Sequence, residues 1–255
     1  MRMKKVNIEK LLKKGKAIFL AYDQGLEHGP KDFNKINIDP KYIIEIAKKG
    51  KYNGIILQKG IAEKYNKEIK KSKIPLILKL NGKTNLVKGE PISRKLCNVD
   101  EAIKLGAKAV GYTIYIGSKY ESIMMQEFED IEREAHSKGL TVIAWIYPRG
   151  KNVKNKKKSE LMAYSTRTAL EIGADIVKIQ YNGNPKDLEW AVKSAGKTKV
   201  VIAGGVKKNE KKLLKQVKEI IKAGAAGLAI GRNIWQSKKP LEITKKIKKI
   251  IWQKN

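Results

Sequence analysis

Short apolar runs alternate with longer amphipathic stretches from one end of this chain to the other, and that alternation limits the fold more than any other feature. Strands are expected at 17–22, 54–57, 75–80, 109–113, 141–147, 176–179, 199–202 and 227–230. Helical patterns lie between most of them, for example at 42–49, 118–137, 159–172 and 209–223. Strands that alternate with helices pair in parallel. A faint repeat agrees: Leu105-Gly106-Ala107, Ile172-Gly173-Ala174 and Ala223-Gly224-Ala225 each end a helix at a glycine, where positive φ is cheap, and turn into a strand. Eight such strands favour a closed (β/α)8 TIM barrel over an open doubly wound sheet. No Gly-x-Gly-x-x-Gly follows the first strand, which disfavours dinucleotide binding. The 255 residues match the roughly 250 of such a barrel. No linker is evident, so one α/β domain over residues 1–255 is expected. The segments 81–99 and 150–158 read as long loops, the second a basic one.

Composition narrows the chemistry. One cysteine, Cys97, excludes an intramolecular disulfide and a cysteine-rich metal site. Two histidines, His28 and His136, are too few for a multi-histidine metal site, so no metal and no cofactor is expected. No run approaches the ~20 apolar residues of a spanning helix, and no long apolar stretch follows Met1; a cytoplasmic protein without membrane attachment is the expectation. Lysine and arginine total 56 against 25 acidic residues, a formal charge of +31 that attracts sugar phosphates or nucleic acid. The lysines are spread along the chain and gather where amphipathic helices would expose them, which favours a solvated surface.

Lys178 lies inside an apolar run, Ile176-Val177-Lys178-Ile179. A buried amine is costly while charged, so its pKa falls, and an amine that sheds its proton can form an imine with a carbonyl substrate. Lys79 is a second strand lysine and Lys59 follows the second strand. Position alone leaves Lys178 and Lys79 as rivals, or makes one the nucleophile and the other a cation that depresses its pKa. Trp145, Tyr147 and Arg149 share a period of two, which points all three to one side of an extended strand. Ile176, Lys178 and Gln180 alternate in the same way. If those sides are the barrel interior, the polar groups meet at its C-terminal mouth, where barrel active sites sit. Tyr147 is a candidate for proton transfer if nearby lysines lower its pKa; otherwise it is a core aromatic. Asp23, at the end of the first strand, either orients substrate hydroxyls and pairs with a lysine or caps a turn. His28, beside Gly29-Pro30, shapes that turn, and His136 reads as a surface or capping residue. Gly204-Gly205 and Gly231-Arg232 follow strands seven and eight, the recurrent barrel position for a phosphate.

Three segments carry a family resemblance: Asp23-Gln24-Gly25-Leu26-Glu27-His28-Gly29-Pro30, Trp145-Ile146-Tyr147-Pro148-Arg149-Gly150 and Val177-Lys178. With them the chain resembles archaeal-type class I fructose-bisphosphate aldolases, in a wider family that includes 2-amino-3,7-dideoxy-heptulosonate synthases. The resemblance implies a TIM barrel, commonly a homo-oligomer. It makes Lys178 the imine-forming lysine, Tyr147 the acid/base tyrosine, Asp23 an active-site carboxylate, Trp145 a substrate contact and Arg149 a phosphate ligand. Gly204, Gly205, Gly231, Arg232, Lys79 and His28 complete the expected substrate-binding set. Val206, Lys207 and the lysine-rich loop 150–158 depart from the expected pattern. A heptulosonate synthase and a basic RNA-binding protein on a barrel scaffold stand as the alternatives, with non-specific nucleic-acid binding at low salt compatible with the enzyme.

Overall fold

Eight parallel strands close on themselves in a computed structural model that describes residues 6–253. Met1 to Lys5, on which part of the N-terminal reading rested, fall outside the described residues. The barrel strands are β1 (Ala17–Ala21), β2 (Gly54–Gln58), β3 (Leu76–Lys79), β4 (Ala107–Ile114), β5 (Thr141–Ile146), β6 (Ile176–Ile179), β7 (Lys199–Ala203) and β8 (Gly227–Ile230). Each pairs with its neighbours in chain order, and β8 closes the ring on β1 with Ala17 opposite Gly227. The fold is thus the expected (β/α)8 TIM barrel. Gly106, Gly173 and Gly224 all take φ between 80° and 89°, as the repeated helix-to-strand turn requires.

Side-chain alternation divides the core in two. One set faces the barrel axis: Phe19, Ile56, Ile77, Ala109, Ile143, Ile176 and Val201, with Leu11 and Leu12 packed against it from the segment that precedes β1. The other set fills the layer between strands and helices, as with Ile18, Ile55, Val142, Val177 and Ile202. A strand buried on both faces reads as a continuous apolar run, which is why these segments were conspicuous in the sequence.

Differences from the sequence reading lie at the connections. The segment 81–99 is not all loop. Asn81–Gly82 and Arg94–Lys95 form a small antiparallel pair, and a helix starts at Val99 behind an Asn98–Glu101 capping box. In 150–158, Lys151–Val153 makes one 3-10 turn and the next helix begins at Lys158. The helix expected from 118 begins at Glu121. Ser118 instead closes a turn, accepting from the Tyr120 N–H and donating to the Pro91 carbonyl.

Candidate active site

The C-terminal ends of the strands surround a cleft of about 160 Å³. Strand period decides what lines it. On β5 the inward row runs Ile143, Trp145 and on past the strand end to Tyr147 and Arg149; on β6 it runs Ile176, Lys178, Gln180. Asp23 follows β1 and Lys79 ends β3. Ile143 and Ile176 lie beneath in the barrel core, and the others line the cleft, as do His28, Gly204, Gly205, Gly231 and Arg232. The expected set is therefore brought together.

Lys178 is 6% exposed, and its ammonium lies 5.1 Å from the centre of the Trp145 ring. Burial lowers its pKa from 10.5 to about 8; Asp23 opposes that shift and Lys79 adds to it. Burial would raise the Asp23 carboxyl, but the Lys178 and Lys79 cations outweigh it and hold Asp23 below the ordinary value, ionised. Lys79 Nζ sits 3.5 Å from Asp23 Oδ2. The two rival lysines thus differ: Lys79 is ion-paired, while Lys178 rests on an indole face. Lys59 is no rival, because it pairs with Glu101 and Glu63 outside the cleft.

Trp145 needs a gap in the neighbouring strand. A Cβ on Gly111 of β4 would overlap the indole ring, so only glycine admits it. The Trp145 Nε1 is buried with no acceptor among the described residues.

Tyr147 corrects one expectation. Its pKa is raised well above 10, not lowered. Burial is the main cause, and the Asp23 and Glu27 carboxylates add to it against the Arg149 cation. Tyr147 is held as a neutral phenol.

Arg149 and Arg232 are both tethered. Arg149 Nη1 donates to Glu27 Oε1 at 2.8 Å, and the guanidinium lies 5.2 Å from the Tyr115 ring centre and 5.6 Å from that of Tyr147. Arg232 Nη1 lies 3.5 Å from Asp32 Oδ2, the same oxygen that His28 Nδ1 contacts at 2.6 Å. His28 therefore braces the turn after β1 while lining the cleft. Asn233 fastens the glycine turn: its Nδ2 donates to the carbonyls of Gly204 and Val206, and its Oδ1 accepts from the Lys208 N–H. Val206 is exposed, and Lys207 donates to the Gln236 carbonyl.

Sequence reasoning gave no role to Glu27, Asp32, Tyr115, Gly111 or Asn233. Glu27 stood in a quoted segment, but nothing local names a partner 122 positions away. A glycine inside a strand, as at Gly111, is the one signal that was available. His136 is not simply a surface residue; it lies between Glu132 and Asp175, away from the cleft. Among the described residues no three His, Cys, Asp or Glu side chains gather as a metal site, and no helix is long and apolar enough to cross a membrane.

Known proteins resemble the chain in sequence and in fold. A family model described as DeoC/LacD family aldolase matches residues 17–237. The fructose-bisphosphate aldolase class 1 of Thermoproteus tenax is 48% identical over 243 residues, 94% of this chain and 91% of the relative. A fructose-bisphosphate aldolase/6-deoxy-5-ketofructose 1-phosphate synthase of Methanocaldococcus jannaschii is 44% identical, over 89% of this chain and 77% of the relative. A solved archaeal fructose-1,6-bisphosphate aldolase, its catalytic Lys covalently bound to the carbinolamine intermediate of the substrate, superposes with a TM-score of 0.90 at 46% identity, covering 96% of this chain and 97% of that one. With 221 of its residues under the family model and relatives of this closeness along nearly its whole length, the chain belongs to the DeoC/LacD family of aldolases.

Proposed function

We propose that the chain is a class I fructose-1,6-bisphosphate aldolase, cleaving its substrate reversibly to dihydroxyacetone phosphate and glyceraldehyde 3-phosphate through an imine on Lys178. The observation that carries the reading is the buried Lys178 amine, with its pKa near 8, beside the ionised Asp23 in a cleft flanked by two arginines. At pH 7 about a tenth of such an amine is neutral, against less than a thousandth of a free lysine. The neutral Nζ adds to the C2 ketone, and loss of water from the carbinolamine gives the imine. Once protonated, the imine draws the electron pair of the breaking C3–C4 bond and becomes an enamine. Protonation at C3 and hydrolysis then release the ketose fragment and restore Lys178. In the condensation direction the neutral Tyr147 phenol donates a proton to the oxygen of the incoming aldehyde, which becomes the C4 hydroxyl. In cleavage the phenol first gives its proton to the departing carbinolamine hydroxyl, which leaves as water; the phenolate so formed takes the C4 hydroxyl proton as the C3–C4 bond breaks, and the restored phenol supplies the proton to C3. Asp23 stabilises the cationic intermediates, and the Trp145 Nε1, lacking a protein acceptor, is a donor for a substrate oxygen. The glycine turns and Arg232 hold one phosphate, and Arg149 meets the other.

Borohydride reduction in the presence of dihydroxyacetone phosphate, followed by peptide mass mapping, tests the reading. The label is expected on Lys178, together with cleavage of the bisphosphate that chelator leaves intact. Chelator-sensitive cleavage without trapping would refute it. Trapping without bisphosphate cleavage, alongside transfer to aspartate semialdehyde, would hand the function to the synthase. A cytoplasmic homo-oligomer belongs to the same reading: Tyr164 and Trp190, on the packed helices Lys158–Glu171 and Pro185–Ser194, expose aromatic surface of the kind that subunit contacts cover.

A further inference from the structure

Glu27 reaches across the mouth of the barrel. It sits in the short helix Gly25–His28 just after β1, and Arg149 follows β5, four strands away in a ring of eight. Their ion pair, Nη1 to Oε1 at 2.8 Å, joins opposite sides of the cleft entrance. The Glu27 carboxylate is largely sequestered, its side chain 16% exposed, and Arg149 holds its pKa below the ordinary value against burial, so it is ionised. Both ends of the pair are anchored. The Glu27 carbonyl accepts from the Asn85 N–H at 3.0 Å, and the Arg149 N–H donates to the Ile116 carbonyl at 3.0 Å. The rings of Tyr115 and Tyr147 lie against the guanidinium. Only Nη1 is taken up; among the described residues no protein acceptor receives Nε–H or Nη2–H.

We infer that Glu27 is a positioning residue that fixes the Arg149 guanidinium across the cleft mouth, so that its remaining donors are preset for the substrate's distal phosphate and the site favours a bisphosphate over a monophosphate. This rests on the aldolase reading for the identity of the sugar. A long arginine side chain searching for an anion loses rotamer freedom on binding it; one already fixed by a carboxylate and stacked on tyrosine rings does not. Coulomb attraction between Glu27 and Arg149 also leaves the pair nearly neutral, so orientation and not bulk positive charge decides the preference. Glu27 touches no reacting atom in this account, and its effect should fall on binding and not on turnover.

The experiment measures binding calorimetrically in a Lys178→Met background, where no imine forms, and steady-state rates in the Lys178 enzyme. Fructose 1,6-bisphosphate and fructose 1-phosphate are compared throughout. Glu27→Ala should weaken the bisphosphate about tenfold or more, the scale of losing a charge-assisted hydrogen bond, and leave the monophosphate within about twofold. Glu27→Asp keeps the charge but withdraws the oxygen by one methylene, and should behave like Glu27→Ala. Glu27→Gln keeps an acceptor at the same reach and should recover most of the loss. kcat should change little in all three. Equal losses on both sugars, an unchanged bisphosphate affinity, or an Asp variant as good as the parent would overturn the inference. A parent protein that binds the two sugars equally would do so too. A parent that prefers the bisphosphate but cleaves nothing would remove the aldolase reading while leaving the binding comparison to stand or fall by itself.

Discussion

At the scale of single residues, the chemistry turns on two groups pushed in opposite directions by the same burial. Lys178 is lowered to about 8, and Tyr147 is raised well above 10. The amine is thereby readied to attack while the phenol is kept as an acid. Imine formation needs the neutral amine, so the rate of borohydride trapping should fall about tenfold per pH unit below 8 and level off above it. A trapping rate flat from pH 6 to 9 would contradict the depressed pKa. Lys178→Met should abolish both trapping and cleavage while the barrel melts normally; a label on Lys79 would move the nucleophile and leave the reaction class intact. Tyr147→Phe removes only the proton donor, so turnover should drop by roughly 10²–10⁴-fold while trapping persists. Lys178 was legible because a charge inside an apolar strand contradicts its surroundings. The direction of the Tyr147 shift was not, because the burial that mainly sets it arises only when the barrel closes, and the Asp23 and Glu27 carboxylates that add to it come from the segment after β1, which no spacing along the chain reveals.

At the scale of elements, strands were easier to read than connections. A barrel strand is buried on both faces and declares itself by composition, whereas the ends of loops are set by partners far away. Asn81 illustrates this. It is fully buried at the start of a segment read as loop, and its amide donates to the carbonyls of Ser93 and Thr113 while accepting from the Thr113 N–H. Three bonds of that kind order the segment and allow the small pair with Arg94–Lys95, yet nothing in the local sequence distinguishes Asn81 from a turn asparagine. A second long-range link joins the helix Glu121–Ser137 to the start of β6. His136 Nε2 meets Asp175 Oδ2 at 3.0 Å and its Nδ1 meets Glu132 Oε1 at 2.6 Å. The bond to Asp175 raises the imidazole pKa against burial, and Glu132 helps. Because the folded value lies above the unfolded one, this contribution is fully present below about pH 6.5 and is lost as pH rises through the folded pKa. His136→Leu should therefore lower stability by about 2 kcal/mol at pH 5.5, the scale of hydrogen bonds to a charged group, and by clearly less at pH 9. Equal destabilisation at both pH values in thermal melts would show that His136 acts only by packing.

At the scale of the whole molecule, the barrel fixes where chemistry can occur and the charge governs what approaches it. The formal +31 is not concentrated in the cleft, where Asp23 and Glu27 stand against the lysines and arginines and Asp32 pairs with Arg232 from outside the lining. It lies mainly outside. The helices Glu210–Lys222 and Pro240–Trp252 pack against one another and expose Lys211, Lys212, Lys215, Lys218, Lys245, Lys246 and Lys249. Such a face attracts any polyanion at low salt. Holding single-stranded nucleic acid in its place requires aromatic faces between the charges, and the exposed aromatic rings Tyr164 and Trp190 lie on other helices. Binding without stacking is counterion release alone, so its logarithm falls linearly with the logarithm of salt. An RNA oligonucleotide should therefore bind weakly, show no preference among sequences, and be released near physiological salt, while cleavage of the sugar bisphosphate continues. Fluorescence anisotropy across a salt series with two unrelated oligonucleotides checks this. Retention of one oligonucleotide over the other at physiological salt would mean that the lysine face is a recognition surface, and the barrel would then serve a second partner besides its sugar.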